Sequence, residues 1–159
     1  MALLTGLCAV SAAALPRNGT GPTGFLTVDD SPDFSTFRGT HALATEASGL
    51  YNSCLGGTGA STEDCRAVLD DIRGNPSPIS VAAGYCLNWY EGSCLGRVCG
   101  GQGTEKWTGD GSWIADMMDP GIVEPCISKA MAGVVSDCDD VASNCGSYHF
   151  YMQSYNGGM

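Results

Sequence analysis

The chain has 159 residues and a net charge of −10, with 15% charged and 43% hydrophobic residues. Its seven lysines and arginines are too few for the basic clusters that bind nucleic-acid phosphates or anionic membrane surfaces, so neither is an expected partner. Beyond the first 15 residues, no stretch is long and apolar enough to span a bilayer, and stable membrane insertion is not expected. Solubility is a sufficient explanation for the acidity.

The first 14 residues have the features of a signal peptide. Residues 2–15 are apolar, and Ala12 and Ala14 have the small-x-small spacing that signal peptidase recognises. The usual positively charged start is missing, but a buried N-terminal helix is a poorer interpretation because Gly6 and Cys8 make a poor core face. Cleavage after Ala14 also removes Cys8 and leaves an even number of cysteines. We therefore predict a secreted, extracellular protein.

Eight cysteines remain after cleavage, and an even number in a short exported chain predicts disulfide bonds. They are Cys54, Cys65, Cys86, Cys94, Cys99, Cys126, Cys138 and Cys145. Each disulfide contributes ~2–4 kcal/mol, mainly by restricting the unfolded chain. The spacings lack the knuckles and paired histidines of zinc sites, so we expect no metal. Which cysteines pair with one another stays open.

Residues 15–45 contain no cysteine and have the composition of a Gly/Pro-rich N-terminal tail. Asn18 begins an Asn-Gly-Thr glycosylation acceptor within this tail, and residues 25–28 fit one short strand. The disulfide-rich domain is predicted to occupy residues 46–159.

The first helix is predicted between Ser61 and Gly74. Ser61 and Asp64 form a capping box at its start, and the Gly-Asn-Pro sequence from Gly74 ends it. The apolar residues between them recur at helical spacing: Cys65, Val68, Leu69 and Ile72. Because Cys65 lies in this buried stripe, its disulfide should join the helix to a sheet.

A strand pair follows the helix. Apolar and polar residues alternate over 79–81 and 85–89, which predicts strands. Residues 91–92 fit a hairpin turn, and residues 93–99 are predicted to form the antiparallel strand that follows it. In that register Cys86 faces Arg97, which puts Cys86 and Cys94 on opposite faces of the sheet. We therefore expect these two cysteines to have different partners.

The last third of the chain predicts two helical segments and a strand. Asp110 can cap a helix over residues 113–118, and a second helical segment runs over 126–133. The residues expected on one face of the first segment are Trp113, Ile114, Met117 and Met118. Cys138 and Cys145 flank an acidic loop and are the best candidates for a local disulfide, and residues 148–155 alternate as a strand.

The element order predicts an α+β fold. A disulfide-stapled antiparallel sheet carries two helical segments on one face, in the order β-α-β-β-α-β. The first strand lies near either Phe25 or Leu50.

The sequence contains no recognisable catalytic motif. A Gly-x-Ser-x-Gly nucleophile elbow is absent, and a free cysteine nucleophile would break the even number. A ribonuclease-like group of His149 with Glu91 and Arg97 is the alternative, since acid–base chemistry needs such a trio. A histidine in an aromatic strand is more often a sheet residue. We predict no catalytic residue and no cofactor, and keep a small extracellular hydrolase acting on RNA or glycans as the alternative.

The aromatic residues point instead to binding. Trp89, Trp107 and Trp113 offer flat platforms for sugar rings, although core packing explains them equally well. Trp107 lies in the polar run 105–109, and we expect it to be exposed in a loop. An exposed loop tryptophan is typical of a contact surface.

The cysteine pattern adds a resemblance. It comprises Cys54, the Ser-x-x-Asp-Cys helix start at 61–65, the Gly-x-Cys at 84–86, Cys94, the Val-Cys at 98–99, Cys126 and a C-terminal cysteine pair. Over roughly residues 50–156 this pattern resembles the small secreted cysteine-rich proteins of filamentous fungi, in particular the killer-toxin-like and necrosis-inducing-factor-like effectors.

The resemblance implies a compact α/β sandwich and a toxin or virulence factor without enzymatic chemistry. The partner would then be an extracellular protein or a cell-wall glycan. Killer toxins that block channels display basic residues, whereas this chain is acidic, so channel block is not expected. A structural protein of the wall or cell surface is a third interpretation.

Overall fold

The computed structural model describes residues 27–30, 40–42, 49–56, 59–102, 106–139 and 146–155. In that part of the chain the strands and α-helices are, in order, β1 (Thr27–Asp30), β2 (Thr40–Ala42), β3 (Tyr51–Gly56), α1 (Thr62–Arg73), β4 (Ile79–Ala82), β5 (Tyr85–Glu91), β6 (Cys94–Gly100), β7 (Lys106–Gly109), α2 (Gly111–Met118), β8 (Met131–Ser136) and β9 (Tyr148–Ser154). A π-helical turn over Asp119–Val123 and a 3₁₀ turn over Ile127–Lys129 lie between α2 and β8.

A large antiparallel sheet has the strand order β1-β5-β6-β9-β8-β3-β2. The five inner strands form its body, and the short strands β1 and β2 lie at its two edges. Both predicted locations of a first strand are therefore occupied, by β1 near Phe25 and by β3 near Leu50. The predicted signal peptide 1–14, the glycosylation acceptor Asn18 and most of the segment 15–45 lie outside the described residues.

The predicted α+β class is confirmed, with both helices on one face of the large sheet. Helix α1 packs on β5 and β6, and α2 packs on β8 and β9. The close approach of α1 requires glycine at position 96, because a Cβ there would lie 2.5 Å from Cγ1 of Val68. Strands β4 and β7 form a separate two-stranded sheet on the same side, where the carbonyl oxygen of Ala82 lies over Gly100.

The predicted α1 is confirmed at both ends. The Ser61 hydroxyl accepts a hydrogen bond from the Asp64 N–H at 3.0 Å, and Gly74 ends the helix. The reciprocal half of the capping box differs, because the Asp64 carboxylate accepts from the backbone N–H of Ser93 at 2.7 Å and from its hydroxyl at 2.5 Å. The Ser61 backbone N–H donates to the hydroxyl oxygen of Ser93 at 2.8 Å. These bonds fasten the start of α1 to the β5–β6 turn.

The hairpin register differs by two residues from the predicted one. The turn lies at Gly92 and Ser93, where Gly92 has a φ of +50°, so Cys86 pairs with Cys99 rather than with Arg97. Because side chains alternate between the two faces, a register shift of two residues leaves each side chain on the same face of the sheet. The expectation that Cys86 and Cys94 have different partners is accordingly confirmed.

Three disulfides join the described residues. Cys65–Cys94 links α1 to β6, as predicted for the buried stripe, and Cys86–Cys99 crosses between paired strands. Cys54–Cys126 links β3 to the segment before β8. Cys138 is also disulfide-bonded, whereas Cys145, its predicted partner, lies outside the described residues.

The predicted helical segment over 126–133 is wrong over most of its length. A 3₁₀ turn covers only Ile127–Lys129, after which Ala130 adopts a φ of +58° and β8 begins. Five of the six residues of β8 are buried, so the strand has no alternating pattern to distinguish it from a helix. The β-branched Val134 and Val135 favour a strand here.

Candidate functional site

Four aromatic side chains meet on the helix side of the large sheet: Trp107, Trp113, Tyr148 and Phe150, which we call the aromatic cluster. Tyr148 and Phe150 are stacked at a centroid distance of 4.7 Å. Trp107 lies 5.0 Å from Tyr148, and Trp113 lies 5.6 Å from Tyr148 and nearly perpendicular to it. The two tryptophan rings are 6.3 Å apart and tilted by 37°.

Three elements position these rings. Tyr148 and Phe150 project from the same face of β9 because strand residues two apart share a face. Trp107 lies on β7 opposite Val81, so its ring points inward, and it covers Gly109, where a Cβ would lie 2.2 Å from the ring. Trp113 lies in the first turn of α2, which Asp110 caps by accepting the N–H groups of Ser112 and Trp113.

The cluster runs from the core to the surface. Phe150 is fully buried, Tyr148 is 8% exposed, Trp107 is half-buried and Trp113 is 39% exposed. The predicted loop position of Trp107 is wrong, since Trp107 belongs to β7 and packs against the core. Trp113, which the sequence groups with Ile114, Met117 and Met118 on one face, is instead the exposed member, while Ile114 and Met118 are buried.

The rotation of α2 explains the exposure of Trp113. A Cβ at Gly111 would lie 2.2 Å from the carbonyl oxygen of Ile72, so Gly111 lets this helix approach α1 with that side inward. The buried stripe of α2 is Gly111, Ile114, Ala115 and Met118. Trp113 lies about 100° from Ile114 around the helix and thus beside that stripe. Its neighbours three residues away, Asp110 and Asp116, are polar, which is the sequence signal that marks this solvent face.

Carboxylates surround the aromatic cluster. Asp110 is exposed at the start of α2, and the Asp116 side chain is 63% exposed, with Oδ1 3.1 Å from the Arg73 guanidinium. Asp137 accepts the backbone N–H groups of Ser147 and Tyr148 at 2.8 and 3.4 Å. Burial, and secondarily the Asp137 charge, raise the pKa of the Tyr148 hydroxyl. Two cations lie at the same surface, since Arg73 pairs with Asp116 and the exposed Lys106 precedes Trp107, so the excess of carboxylates over cations is small.

The rings contact one another directly and do not enclose a space. All of their centroid distances lie between 4.7 and 6.3 Å, the range of touching aromatic pairs. No group fits between rings at such separations. A ligand of the cluster would consequently lie on its outer surface, chiefly on Trp113.

The structure does not bring together the alternative catalytic trio. His149 is fully buried on the sheet face opposite the helices, and Arg97 shares that face. Glu91 pairs with Cys94, whose sulfur bonds to α1, so Glu91 belongs to the helix-side face. The imidazole and the Glu91 carboxylate are thus on opposite sides of the sheet.

The described part of the chain was not predicted to hold a metal or to cross a membrane. No group of three or more His, Cys, Asp or Glu side chains there has a geometry suited to a metal ion. No helix within these residues has the length and hydropathy needed to cross a bilayer.

Comparisons of the chain with protein-family models, curated proteins and solved structures found no match. The resemblance to fungal effectors remains a prediction from the cysteine spacing.

Proposed function

We propose that the protein is a secreted, non-enzymatic binding protein of the effector or toxin type. It contacts a host, competitor or cell-wall target through the aromatic cluster. The observation that carries this proposal is Trp113, a large aromatic side chain that remains 39% exposed at the edge of a packed aromatic group. Exposed tryptophans on a folded domain are typical of contact surfaces.

The rigidity of the cluster supports this role. Trp113 rests against Tyr148 and Phe150, which belong to the inner strand β9. Binding to a surface that is already ordered costs less conformational entropy than binding to a mobile loop. The Cys65–Cys94 and Cys54–Cys126 disulfides hold the adjoining elements of the same layer.

The disulfides also support an extracellular location. Three described cysteine pairs are bonded, and structural disulfides persist mainly in oxidising compartments. The apolar N-terminal segment with its cleavage-site spacing supplies the route of export.

The test compares two exposed aromatic positions. Trp113→Ala removes the proposed contact, and Tyr85→Ala is the matched control because Tyr85 is 47% exposed on β5. Wild type and both variants are incubated with fungal, plant and bacterial cells and with their isolated walls, and bound protein and growth inhibition are measured. We expect Trp113→Ala to lose about tenfold or more in binding and Tyr85→Ala to match wild type. Equal binding by all three proteins would refute the assignment of the surface.

A further inference from the structure

We infer that the aromatic cluster binds a cationic polysaccharide, a polymer of hexosamine pyranoses with free amino groups. This inference rests on the proposed function and names the ligand class of the same surface. Two properties of the surface carry it: the flat, closed packing of the rings and the carboxylates around them.

The packing of the rings favours a ligand with a flat apolar face. Because the rings touch, the cluster has no cage between them in which an ammonium group or an inserted side chain would be enclosed. A pyranose whose substituents are equatorial presents a face of C–H groups, which stacks on an exposed indole. Trp113 offers such a surface, and Trp107 extends it at a tilt of 37°.

The size of the exposed surface favours a sugar over a protein. An exposure of 39% for Trp113 corresponds to roughly 100 Å². A stable protein–protein interface needs ~800 Å² from each partner. Trp113 and Tyr85 are the large hydrophobic side chains that the described residues expose, which is little for a protein interface. One sugar ring covers a surface the size of the exposed Trp113 face.

The charges select the kind of sugar. Asp110 and Asp116 lie three residues before and after Trp113, and Asp137 lies beside Tyr148 at the start of β9. Asp116 pairs with Arg73, and the exposed Lys106 precedes Trp107, so the negative potential beside Trp113 comes chiefly from Asp110 and from the chain as a whole. The net charge of the whole chain is −10. An anionic polysaccharide is repelled by this field, a neutral one is not attracted, and protonated amino groups are drawn to it.

The test uses the full secreted chain and a matched pair of oligosaccharides. A glucosamine hexamer and an N-acetylglucosamine hexamer have the same ring stereochemistry and differ in charge. Binding is measured by calorimetry and by tryptophan fluorescence at about pH 5.5, where carboxylates are ionised and the amines are protonated. We expect the glucosamine hexamer to bind about fivefold or more tightly than the acetylated one, and the difference to shrink as salt is added.

Two variants separate stacking from charge. Trp113→Ala should weaken binding of the glucosamine hexamer about tenfold. Asp110→Asn keeps a good helix cap but removes one charge, so α2 stays folded while the preference for free amines falls about twofold. Tyr85→Ala should leave both affinities unchanged.

The outcomes distinguish this inference from the proposed function. Equal affinity for the two hexamers, or an affinity difference that does not respond to salt, overturns the inference of a cationic glycan. In that case, binding to cells or walls that depends on Trp113 still supports the proposed function. Polylysine that competes as well as the glucosamine hexamer overturns the assignment to a sugar. Binding that is independent of Trp113 for cells, walls and both hexamers overturns both proposals.

Discussion

The two faces of the large sheet bury side chains of different kinds. The helix-side face carries α1, α2 and two disulfides, and its apolar packing continues outward to the exposed ring of Trp113. The opposite face holds the Cys86–Cys99 disulfide together with His149 and Asn88, all completely buried. His149, the residue with the most obvious catalytic potential, is thus inaccessible, whereas Trp113 on the helix side is exposed. Accessibility, more than residue type, distinguishes the two sides of this sheet as candidate contact surfaces.

The largest expected effect is the loss of stability on removing a disulfide, and this loss should differ between the two faces of the sheet. Their bonds close loops of different length, since Cys54–Cys126 spans 72 residues and Cys86–Cys99 spans 13. Replacing the first pair by alanines should lower the free energy of unfolding by about 4 kcal/mol, and replacing the second by about 3 kcal/mol. Guanidinium unfolding of both double variants measures the difference. The reverse order would show that the cross-strand bond of the opposite face stabilises more than loop closure accounts for.

The next effect concerns His149 and Trp113. His149→Ala leaves a cavity in a fully buried site and should lower the free energy of unfolding by about 2–4 kcal/mol, without weakening target binding while the protein is folded. Trp113→Ala removes a side chain that packs on Tyr148 and Phe150, so it should also cost about 2–3 kcal/mol, but unlike His149→Ala it should abolish most binding by the folded protein. Urea unfolding and the cell-wall binding assay, run on both variants, test this difference in binding. Loss of binding in folded His149→Ala would break the division between the two faces.

A smaller effect tests the close approach of α1 to the sheet. A methyl group at Gly96 would lie 2.5 Å from Val68, so Gly96→Ala should lower the free energy of unfolding by about 1–3 kcal/mol. Gly56→Ala in β3 is the matched control, because a Cβ there meets nothing within 4 Å. Chemical denaturation of the two variants gives the comparison. Equal stability of the Gly96→Ala and Gly56→Ala variants would mean that α1 can move away from the sheet at this point at little cost in free energy.

The smallest effect is a pH dependence at the start of α1. Hydrogen bonds from the Ser93 hydroxyl and N–H lower the pKa of Asp64 below its usual 3.8. The stabilisation is therefore complete above that value and is lost as the pH falls through the folded pKa. Because Asp64 is only partly buried and solvent screens its charge, we expect less than about 1 kcal/mol. Unfolding curves of wild type and Asp64→Asn should diverge at neutral pH and converge in acid; a constant gap would contradict this origin.

The sequence predicted elements whose local signals agree with one another. For α1, the Ser61 cap, the apolar spacing and the stop at Gly74 all indicate one helix, and the structure has it. The faces of the β5–β6 hairpin were right although its register was not, because the side-chain pattern repeats every two residues.

The features that sequence alone misses depend on contacts between distant segments. Strand β8 is buried on both faces, so its sequence lacks the alternation of apolar and polar residues by which a strand is recognised. Strand β7 pairs with β4, which lies some 25 residues earlier in the chain. The residues around Trp107 carry no local sequence signal that predicts this pairing. Trp113 is exposed because Gly111 packs against α1, a contact that only the assembled fold defines.

The most direct test of the account is acrylamide quenching of tryptophan fluorescence, with and without bound cell-wall material. Trp89 is 4% exposed and Trp107 is half-buried, so the quenchable signal of the free protein should come from Trp113 and, to a smaller extent, from Trp107, and Trp113→Phe should remove the larger part of it. If Trp113 lies in the contact surface, bound target should protect this signal from quenching. Binding that leaves the quenching of Trp113 unchanged would contradict this assignment.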